Sequence, residues 1–473
     1  MAAIAVKAAL ARAAGRAVRA SGRGGGTSLP GRLLLRWEPG AIGTLAARLP
    51  AGSAIISATN GKTTTAAMVA SILERSGVSL VHNRSGANMA GGIASTLLDA
   101  LQGRGIAGEM GLFEVDEFWL ATLVSELAPR ALLLANLFRD QLDRYGELDT
   151  IADRWAEVVG AAAPGTRLVL NADDPLVADL GRERHSDAIR PDVLYFGLEL
   201  DAGLGELEHA SDSTHCRRCG SPYTYSAVHL GHLGRYRCPG CGRTRPEPTI
   251  RAAGIELLGT RGAHFRLETP EGSAAVRLGL PGLYNVYNAV GAAALAHGLG
   301  VGLDTIVAGL EATAAAFGRG ERVAIGAVDL QLLLIKNPAG ANEVLRTLAL
   351  ESADLHLLGV LNDRIADGRD VSWIWDADWE LLAPHIGRAV CAGTRAAELA
   401  LRLKYAGVPT DRLAVVPELP RALDAALAPL AGGSPAGSGR SQLFAVPTYT
   451  AMLALREELA ARGHVDAFWQ ERA

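Results

Sequence analysis

The chain of 473 residues carries the stretch AIISATNGKTT at residues 54–64. Its first four residues form a short run of small and apolar side chains that predicts a strand, and an amphipathic run through Leu73 predicts a helix. The turn between them would aim backbone N–H groups at an anion, beside the charge of Lys62 and the hydroxyl of Thr63. We therefore interpret residues 58–64 as a phosphate-binding loop. The alternative is an ordinary glycine turn, because Ile56 stands where a full phosphate-loop pattern has its first glycine.

Short apolar runs alternate with helical stretches along most of the chain. The runs lie at residues 111–115, 131–135 and 168–170, and in a second series at 330–335, 355–361, 389–392 and 443–446. This alternation predicts an α/β fold with helices covering parallel sheets. We expect a central parallel-sheet domain over residues 51–317 and a C-terminal Rossmann-like domain over residues 318–473. Residues 432–441, rich in Gly, Ser and Pro, predict an exposed loop.

The composition is that of a globular enzyme. Apolar residues make up 49% of the chain, with Ala and Gly dominating, as in helices packed closely on a parallel sheet. A formal net charge of −4 is too small to indicate nucleic acid as a partner. The sequence shows no apolar run long enough to cross a bilayer and no secretory signal. We expect the protein to be cytoplasmic.

Residues 1–50 form a basic N-terminal segment. Its first 36 residues contain no acidic side chain and seven basic ones, Lys7, Arg12, Arg16, Arg19, Arg23, Arg32 and Arg36. One interpretation is a solvated helix followed by a hinge at Gly22 to Gly26. The other is attraction to an anionic membrane surface or a lipid-linked substrate, to which each basic side chain would contribute about 1 kcal/mol.

Four of the five cysteines form two C-x-x-C pairs separated by eighteen residues, Cys216 with Cys219 and Cys238 with Cys241. Four thiolates at this spacing can close a tetrahedral zinc site, as in zinc ribbons. Because four protein ligands leave no position for substrate, we expect a structural role. The ribbon would be an insertion at about residues 206–248.

Other residues near these cysteines allow more than one interpretation. We interpret His215, His229 and His232 as solvated groups or as groups that support the ligands, with the alternative that one of them replaces a cysteine. Cys391 follows a strand-like run without any reactive-thiol signature, so we expect a small buried residue.

Beyond the phosphate loop, four stretches occur in the order found in the Mur ligase superfamily, which the chain resembles from about residue 50 onward. The family loop reads T-G-T-N-G-K-T, with Ala58 here in place of its first glycine. The further stretches are FEVDE at 113–117, NLFRDQLD at 136–143, LNADD at 170–174 and GLYNVYN at 282–288.

The resemblance implies a nucleotide site for ATP and Mg²⁺. It implies that Lys62 contacts the β- and γ-phosphates, that Thr63 and Glu114 hold Mg²⁺, and that Asn288 contacts the nucleotide. The remaining residues of the implied nucleotide loop are Thr59, Asn60, Gly61 and Thr64. Glu114 at a strand end also suits Mg²⁺ as a hard oxygen ligand, with a surface carboxylate as the alternative.

Three departures from the family pattern concern metal coordination. Peptide-forming Mur ligases typically have a histidine where Gln141 stands and a carbamylated lysine in the region of Ala156, and both would help to hold a second metal ion. Tyr284 stands at a position that is commonly histidine. These departures suggest altered metal coordination and a different nucleophile.

Within the superfamily the chain resembles the MurT branch, the ligase subunits of lipid II isoglutaminyl synthase. The four-cysteine ribbon before the Asn288 motif belongs to this resemblance, as do the stretches KNPAG at 336–340 and LNDRIADGRDVSWIWD at 361–376. The branch implies ATP-dependent activation of the α-carboxylate of D-glutamate in the lipid II stem peptide as an acyl phosphate. Attack by ammonia would then give D-isoglutamine.

The ammonia must come from outside this chain, which contains no plausible Cys-His glutaminase unit. The resemblance implies a GatD-type glutamine amidotransferase subunit as partner and Asp370 as the residue that completes its Cys-His pair, the third role in a triad. A loop-capping carboxylate is the alternative for Asp370. For Trp373, Trp375 and Trp379 we expect core packing first and a subunit interface as the alternative.

Two other functions are also compatible with the sequence. A peptide-forming Mur or folylpolyglutamate-type ligase would add an amino acid instead of ammonia. A nucleotide-binding scaffold without catalysis would merely present its ribbon and C-terminal domain to a partner.

Overall fold

The computed structural model describes residues 7–8, 10–15, 28–83, 87–103, 105–140, 148–182, 190, 192–200, 207, 211–314, 319–351, 354–431 and 440–466. Gln141, the glycine-rich residues 22–26 and residues 432–439 of the expected loop lie outside the described residues. Ser441, the last residue of that expected loop, already begins a strand. The α/β fold is confirmed, with two separate main sheets.

Nine strands form the central sheet. They are β1 (Ser53–Ser57), β2 (Leu80–His82), β5 (Met110–Glu114), β6 (Ala131–Leu134), β7 (Arg167–Asn171), β8 (Val193–Glu199), β11 (Ile250–Leu257), β12 (Ala263–Thr269) and β13 (Gly272–Leu278), and the short pair β3 (Leu101–Gln102) and β4 (Gly105–Ile106) lies outside the sheet. Their spatial order is β13-β12-β11-β8-β7-β6-β1-β5-β2. In this spatial order, all neighbours from β11 through β2 pair in parallel. Strands β12 and β13 add an antiparallel edge next to β11.

Helices cover both faces of this sheet. They are α1 (Leu29–Trp37), α2 (Ala41–Ala46), α3 (Lys62–Arg75), α4 (Ala90–Ala100), α5 (Leu120–Leu127), α6 (Leu148–Gly160), α7 (Pro175–Asp179), α8 (Leu283–Gly298) and α9 (Leu303–Glu311). All five residues of β1 are buried. Ile56 packs in a core cluster with α3 and α8, whereas Ile55 packs on the opposite face with α1, α2 and α4. Burial on both faces explains why the strand does not alternate between apolar and charged residues and why its three central residues, 54–56, are all apolar.

A hairpin of β9 (Thr224–Leu230) and β10 (Leu233–Arg237) interrupts the series between β8 and β11. It lies between the two cysteine pairs in sequence. The structure therefore places an antiparallel insertion where the sequence predicted the ribbon.

The C-terminal sheet has six strands. They are β14 (Arg319–Ile325), β15 (Val328–Leu333), β16 (Leu355–Val360), β17 (Ile386–Ala392), β18 (Leu413–Val415) and β19 (Ser441–Pro447), and the helices around them are α10 (Pro338–Ala349), α11 (Ala396–Tyr405), α12 (Leu419–Leu427) and α13 (Tyr449–Ala461). The order is β14-β15-β19-β16-β17-β18, with only β14 antiparallel to its neighbour. The four predicted runs of the second series are thus confirmed as strands.

The tryptophans and the fifth cysteine divide between core and surface. Cys391 is fully buried, as expected, and burial raises its pKa to about 12. Trp379 is also fully buried, which confirms core packing for that residue. Trp375 is 47% exposed and lies beside the exposed Tyr405, with ring centroids 5.9 Å apart.

The described part of the N-terminal segment packs against the protein instead of forming a solvated helix. Ala8 and Ala11 are buried on one face of the helical residues 7–8 and 10–15. Lys7 Nζ lies 2.8 Å from Glu38 Oε2, and the Arg12 guanidinium donates to backbone carbonyls at the end of α4. Those two basic side chains are therefore committed to intramolecular contacts. Among the described helices, none combines the length and the apolar character needed to traverse a bilayer.

Candidate active site

The predicted phosphate loop connects β1 to α3 at the carboxyl edge of the central sheet. Gly61 precedes the helix with φ of +88°, in the left-handed region that favours glycine. A Cβ atom at this position would lie 2.0 Å from Asn288 Oδ1. The loop therefore requires glycine at residue 61 both for its backbone conformation and for the close approach of α8.

Lys62 is held by a carboxylate. Its Nζ donates to Glu117 Oε2 at 2.8 Å, to the Thr59 carbonyl at 3.3 Å and to the Ala58 carbonyl. Burial by itself would lower the pKa of Lys62, but attraction by Glu117 and Asp116 outweighs it and raises the pKa. Glu117 has a lowered pKa, because the attraction of Lys62 and Lys336 outweighs the effect of burial. The two groups form a charged pair.

Glu114 ends β5, and its backbone is fixed by the side chain of Asn83. Asn83 Nδ2 donates to the Glu114 carbonyl at 2.8 Å, and the Glu114 N–H donates to Asn83 Oδ1 at 2.9 Å. The Glu114 side chain is 3% exposed, and its Oε1 accepts a hydrogen bond of 3.2 Å from Asn88. A carboxylate held in this way and the hydroxyl group of Thr63, which lines the same cavity, are the hard oxygen ligands that Mg²⁺ prefers.

One cavity of about 450 Å³ joins these groups. Its lining includes all eight residues that the sequence predicted for nucleotide and Mg²⁺, namely Thr59, Asn60, Gly61, Lys62, Thr63, Thr64, Glu114 and Asn288. Tyr284, which departs from the family pattern, lines it as well. Ala156, which marks the region of the family's carbamylated lysine, lies half-buried in α6.

The C-terminal sheet contributes a second wall that sequence reasoning missed. Lys336 follows β15, lines the cavity, and donates to the Thr59 carbonyl at 3.1 Å and to Asp140. The side chains of Asn337 and Asn60 exchange hydrogen bonds of 3.1 and 3.3 Å, and Asn337 also caps α10 through the Gly340 N–H. The cavity thus lies between the phosphate loop and the C-terminal sheet.

A sequence signal for Lys336 was present. Only four of the 46 lysine and arginine residues are lysines, at positions 7, 62, 336 and 404. Two of these four line the cavity. The ammonium group of lysine is a compact charge on a flexible chain and can follow a phosphate group. The planar guanidinium group of arginine is not an equivalent substitute.

Asp370 lies outside the set of described residues that line this cavity and is exposed. Its Oδ1 accepts the Ser372 N–H at 2.8 Å, a hydrogen bond that lowers the pKa of the carboxyl group. The loop-capping contact considered from the sequence is therefore present. The same loop reaches the cavity through Ala366, and the buried Asp367 ties it to the N-terminus of α13 by accepting the Thr450 N–H at 2.7 Å.

The four predicted metal ligands come together. The sulfur atoms of Cys216, Cys219, Cys238 and Cys241 lie within 4.8 Å of one another. Both pairs form the same turn, in which the residue after the second cysteine, Gly220 or Gly242, has positive φ and donates its N–H to the carbonyl of the first cysteine. This donor set fits a tetrahedral zinc ion without a histidine.

The expectation of solvated histidines is wrong for two of the three. His215 is exposed, but His229 and His232 are 1% and 0% exposed. They lie at the end of the hairpin that is distant in sequence from the cysteines. The alternative that a histidine replaces a cysteine is also wrong, since all four cysteines are gathered.

Two family models match the sequence. The model described as Mur ligase middle domain matches residues 56–238, and the one described as MurT ligase C-terminal matches residues 334–452. The chain is 32% identical over 441 residues to the Streptococcus pneumoniae protein named lipid II isoglutaminyl synthase (glutamine-hydrolyzing) subunit MurT, with 93% of each chain covered. A Staphylococcus aureus protein of the same name is 33% identical over 401 residues, covering 84% of this chain and 87% of the relative.

Solved structures share the fold at lower identity. A pseudomurein peptide ligase type C from Methanothermus fervidus superposes with a TM-score of 0.65 at 22% identity, covering 88% of this chain and 80% of that one. MurF from Acinetobacter baumannii gives 0.63 at 22% identity, covering 91% and 80%. The two family models, the two named subunits and the shared fold place the chain in the MurT family of Mur ligase-like proteins.

Proposed function

We propose that this chain is the ligase subunit of a lipid II isoglutaminyl synthase. It would use ATP to phosphorylate the α-carboxylate of D-glutamate in the lipid II stem peptide, and ammonia would attack the acyl phosphate to give the amide and release phosphate. The observation that carries the proposal is that one cavity is lined by the phosphate loop, Glu114 and Asn288 together with Lys336 of the C-terminal domain.

The roles within the cavity follow from charge and position. Lys62 would exchange Glu117 for the β- and γ-phosphates of ATP, and Asn288 would contact the nucleotide. Thr63 and Glu114 would hold Mg²⁺, which supplies positive charge to the phosphates when bound. Lys336 lies on the part of the wall that the C-terminal domain contributes, where it would offset the charge on the transferred phosphoryl group. Thr59, Asn60, Gly61 and Thr64 would complete the phosphate loop with their backbone.

The partner would be a GatD-type glutamine amidotransferase subunit that supplies ammonia. Both MurT relatives are named as subunits of a glutamine-hydrolyzing synthase. Asp370 is exposed and held by Ser372, so its carboxylate is available to orient the catalytic histidine of a second protein. Exposed apolar groups in the same region, Ile365, Trp375 and Tyr405, support an interface there.

The remaining assignments complete the proposal. The four cysteines would hold a structural zinc ion. The chain would divide into a basic segment over residues 1–50, a central domain over 51–317 and a C-terminal domain over 318–473.

Because lipid II is lipid-linked, we place the protein in the cytoplasm at the inner face of the plasma membrane. The exposed Arg32 and Arg36 of α1 favour anionic lipid, and failure to sediment with anionic vesicles would remove this last part.

Lys62→Ala should reduce amidation by about 100-fold or more, because the phosphates lose their principal cation. The loss should be the same with ammonium and with glutamine plus the partner. Mass spectrometry of lipid II after incubation with ATP distinguishes the acid, the amide and a product carrying an extra amino acid. Lys404→Ala, on the exposed face of α11, is the control and should retain activity. Amidation by the Lys62 variant at the wild-type rate would contradict the proposal, and an added amino acid would replace it with a peptide-forming ligase.

Glu117→Gln should lower the free energy of unfolding of the nucleotide-free protein by about 1 to 3 kcal/mol at neutral pH, because Lys62 then lies buried without its nearest counter-charge. The pKa of Glu117 in the folded protein lies below its ordinary value of 4.5. Its carboxylate therefore contributes stability above that pH, and the contribution disappears as the pH falls through the folded-state pKa.

Urea unfolding should therefore show a constant difference between wild type and Glu117→Gln from about pH 8 to about pH 5, and a smaller one below the ordinary glutamate pKa. Glu157→Gln on the exposed face of α6 should change stability by no more than about 0.5 kcal/mol. Equal stability of the Glu117 variant and the wild type at neutral pH would show that the pair does not hold Lys62.

Asp370→Asn should reduce glutamine-driven amidation by about 10⁴-fold, since an amide in place of the aspartate misorients the imidazole of the triad. Amidation with free ammonium should keep the wild-type rate, because Asp370 lies outside the ligase cavity. The two rates are measured with the same partner preparation. Asp411→Asn, another exposed aspartate of the C-terminal domain, should change neither rate. Glutamine use at the wild-type rate in the Asp370 variant would remove Asp370 from the triad.

A further inference from the structure

The most buried part of the inserted hairpin is its tip. The tip consists of residues 229–233, the end of β9, the connecting residues 231–232 and the start of β10, whereas the two cysteine pairs flank the opposite end of the hairpin in sequence. At the tip, His229 and His232 have almost no exposure, and Leu230 and Leu233 are 5% and 2% exposed. Leu230 and Leu233 also line the nucleotide cavity. The hairpin therefore reaches from the metal site to the wall of the proposed active site.

The tip contacts the phosphate loop through Phe138. The rings of His232 and Phe138 have centroids 4.8 Å apart. The Phe138 N–H donates to Thr59 Oγ1 at 3.1 Å. Phe138 thus lies between the hairpin and a residue that lines the proposed phosphate site.

A second connection passes through the fully buried Asp173. Its carboxylate accepts hydrogen bonds from Tyr287 Oη at 2.8 Å, from the Leu198 N–H at 2.9 Å, and from the guanidinium of Arg245. Burial would raise the pKa of Asp173, but Arg245 and His229 outweigh it and lower the pKa to about 2. The Gly234 N–H of the hairpin also donates to the Asp173 carbonyl at 2.9 Å.

In the contact between His229 and Tyr287, the histidine is the hydrogen-bond donor. The single hydroxyl proton of Tyr287 is used on Asp173. His229 Nδ1, 3.0 Å from the Tyr287 hydroxyl oxygen, must therefore donate. The hairpin tip thus holds the hydroxyl group of a residue on α8.

Tyr287 immediately precedes Asn288 in α8. Asn288 Oδ1 accepts a hydrogen bond of 3.2 Å from Thr65, and the same oxygen is the atom that excludes a side chain at Gly61. A continuous set of contacts therefore runs from His229 through Tyr287 to Asn288 and the phosphate loop.

We propose that the hairpin tip is a structural part of the nucleotide site. His229 and Tyr287 are positioning residues that hold Asn288 against the phosphate loop, while Leu230 and Leu233 close the cavity wall. Zinc at the four cysteines stabilises the hairpin, so that zinc affinity and nucleotide affinity are linked. Linkage of this kind is reciprocal, because each ligand must stabilise the arrangement that the other prefers. The inference rests on the proposed nucleotide site and adds a role for the inserted ribbon.

The first test is Tyr287→Phe, which removes one hydroxyl group from the cluster and keeps the ring. We expect MgADP to bind about 10-fold more weakly in isothermal titration calorimetry, the effect of losing a hydrogen bond to a charged group. Tyr195→Phe is the matched control, since that buried hydroxyl donates to the Ala178 carbonyl at 2.7 Å, away from the cavity. It should lower the melting temperature and leave the MgADP affinity unchanged, which separates positioning from general stability.

The second test compares the wild-type chain with Tyr287→Phe. Zinc retention at equilibrium against a zinc-selective chelator is measured with and without saturating MgADP. We expect MgADP to increase the apparent zinc affinity several-fold, and Tyr287→Phe to reduce that increase. Equal zinc retention in both conditions, or an unchanged MgADP affinity in Tyr287→Phe, would overturn the inference. A wild-type chain that binds no MgADP would instead overturn the proposed function.

Discussion

The parallel register of three adjacent strands governs the position of the candidate site. Ile56 of β1 pairs with Glu114 of β5 on one side and with Leu133 of β6 on the other. The carboxyl ends of the three strands therefore meet at one edge, as is general for ligand sites in open α/β sheets. The phosphate loop follows β1, Glu114 ends β5, and Asn136 follows β6, with its amide bonded to the backbone of Asn60. A shift of β5 by one residue would turn Glu114 toward the other face.

Buried charge is the second constraint, because an ionised group inside a protein needs a partner. Two of the pairs among the described residues bear on the site, Lys62 with Glu117 and Asp173 with Arg245. The two pairs have different environments. Lys62 faces a cavity, so a phosphate can replace its carboxylate partner. Asp173 is fully buried and joins α8, the hairpin and β8 through hydrogen bonds.

The C-terminal sheet contributes to the site through a small set of polar contacts. Lys336 and Asn337, which immediately precede α10, bond to Thr59 and Asn60 of the phosphate loop. In the same domain, the loop bearing Asp370 is anchored through Asp367 to α13, whose first residue Tyr449 lines the cavity. Ala366 of this loop lines the cavity where the carboxylate would be activated, and Asp370 of the same loop is exposed where the partner would bind. The two proposed functions thus use the two ends of the segment 366–370.

The sequence by itself determined the phosphate loop, the strand series and the four cysteines, because each depends on residues close together in the chain. The lysine and threonines after a glycine turn and the paired C-x-x-C turns are local patterns, and the apolar runs are continuous because their strands are buried on both faces. Only the tertiary structure assigned Lys336, Glu117 and the hairpin histidines, since their environments depend on segments far apart in the chain. His229 and His232 looked solvated beside the cysteines, yet antiparallel pairing carries them to the opposite end of the hairpin and into the core. Lys336 follows Thr59 by more than half of the chain, so no local pattern could show that the two residues meet.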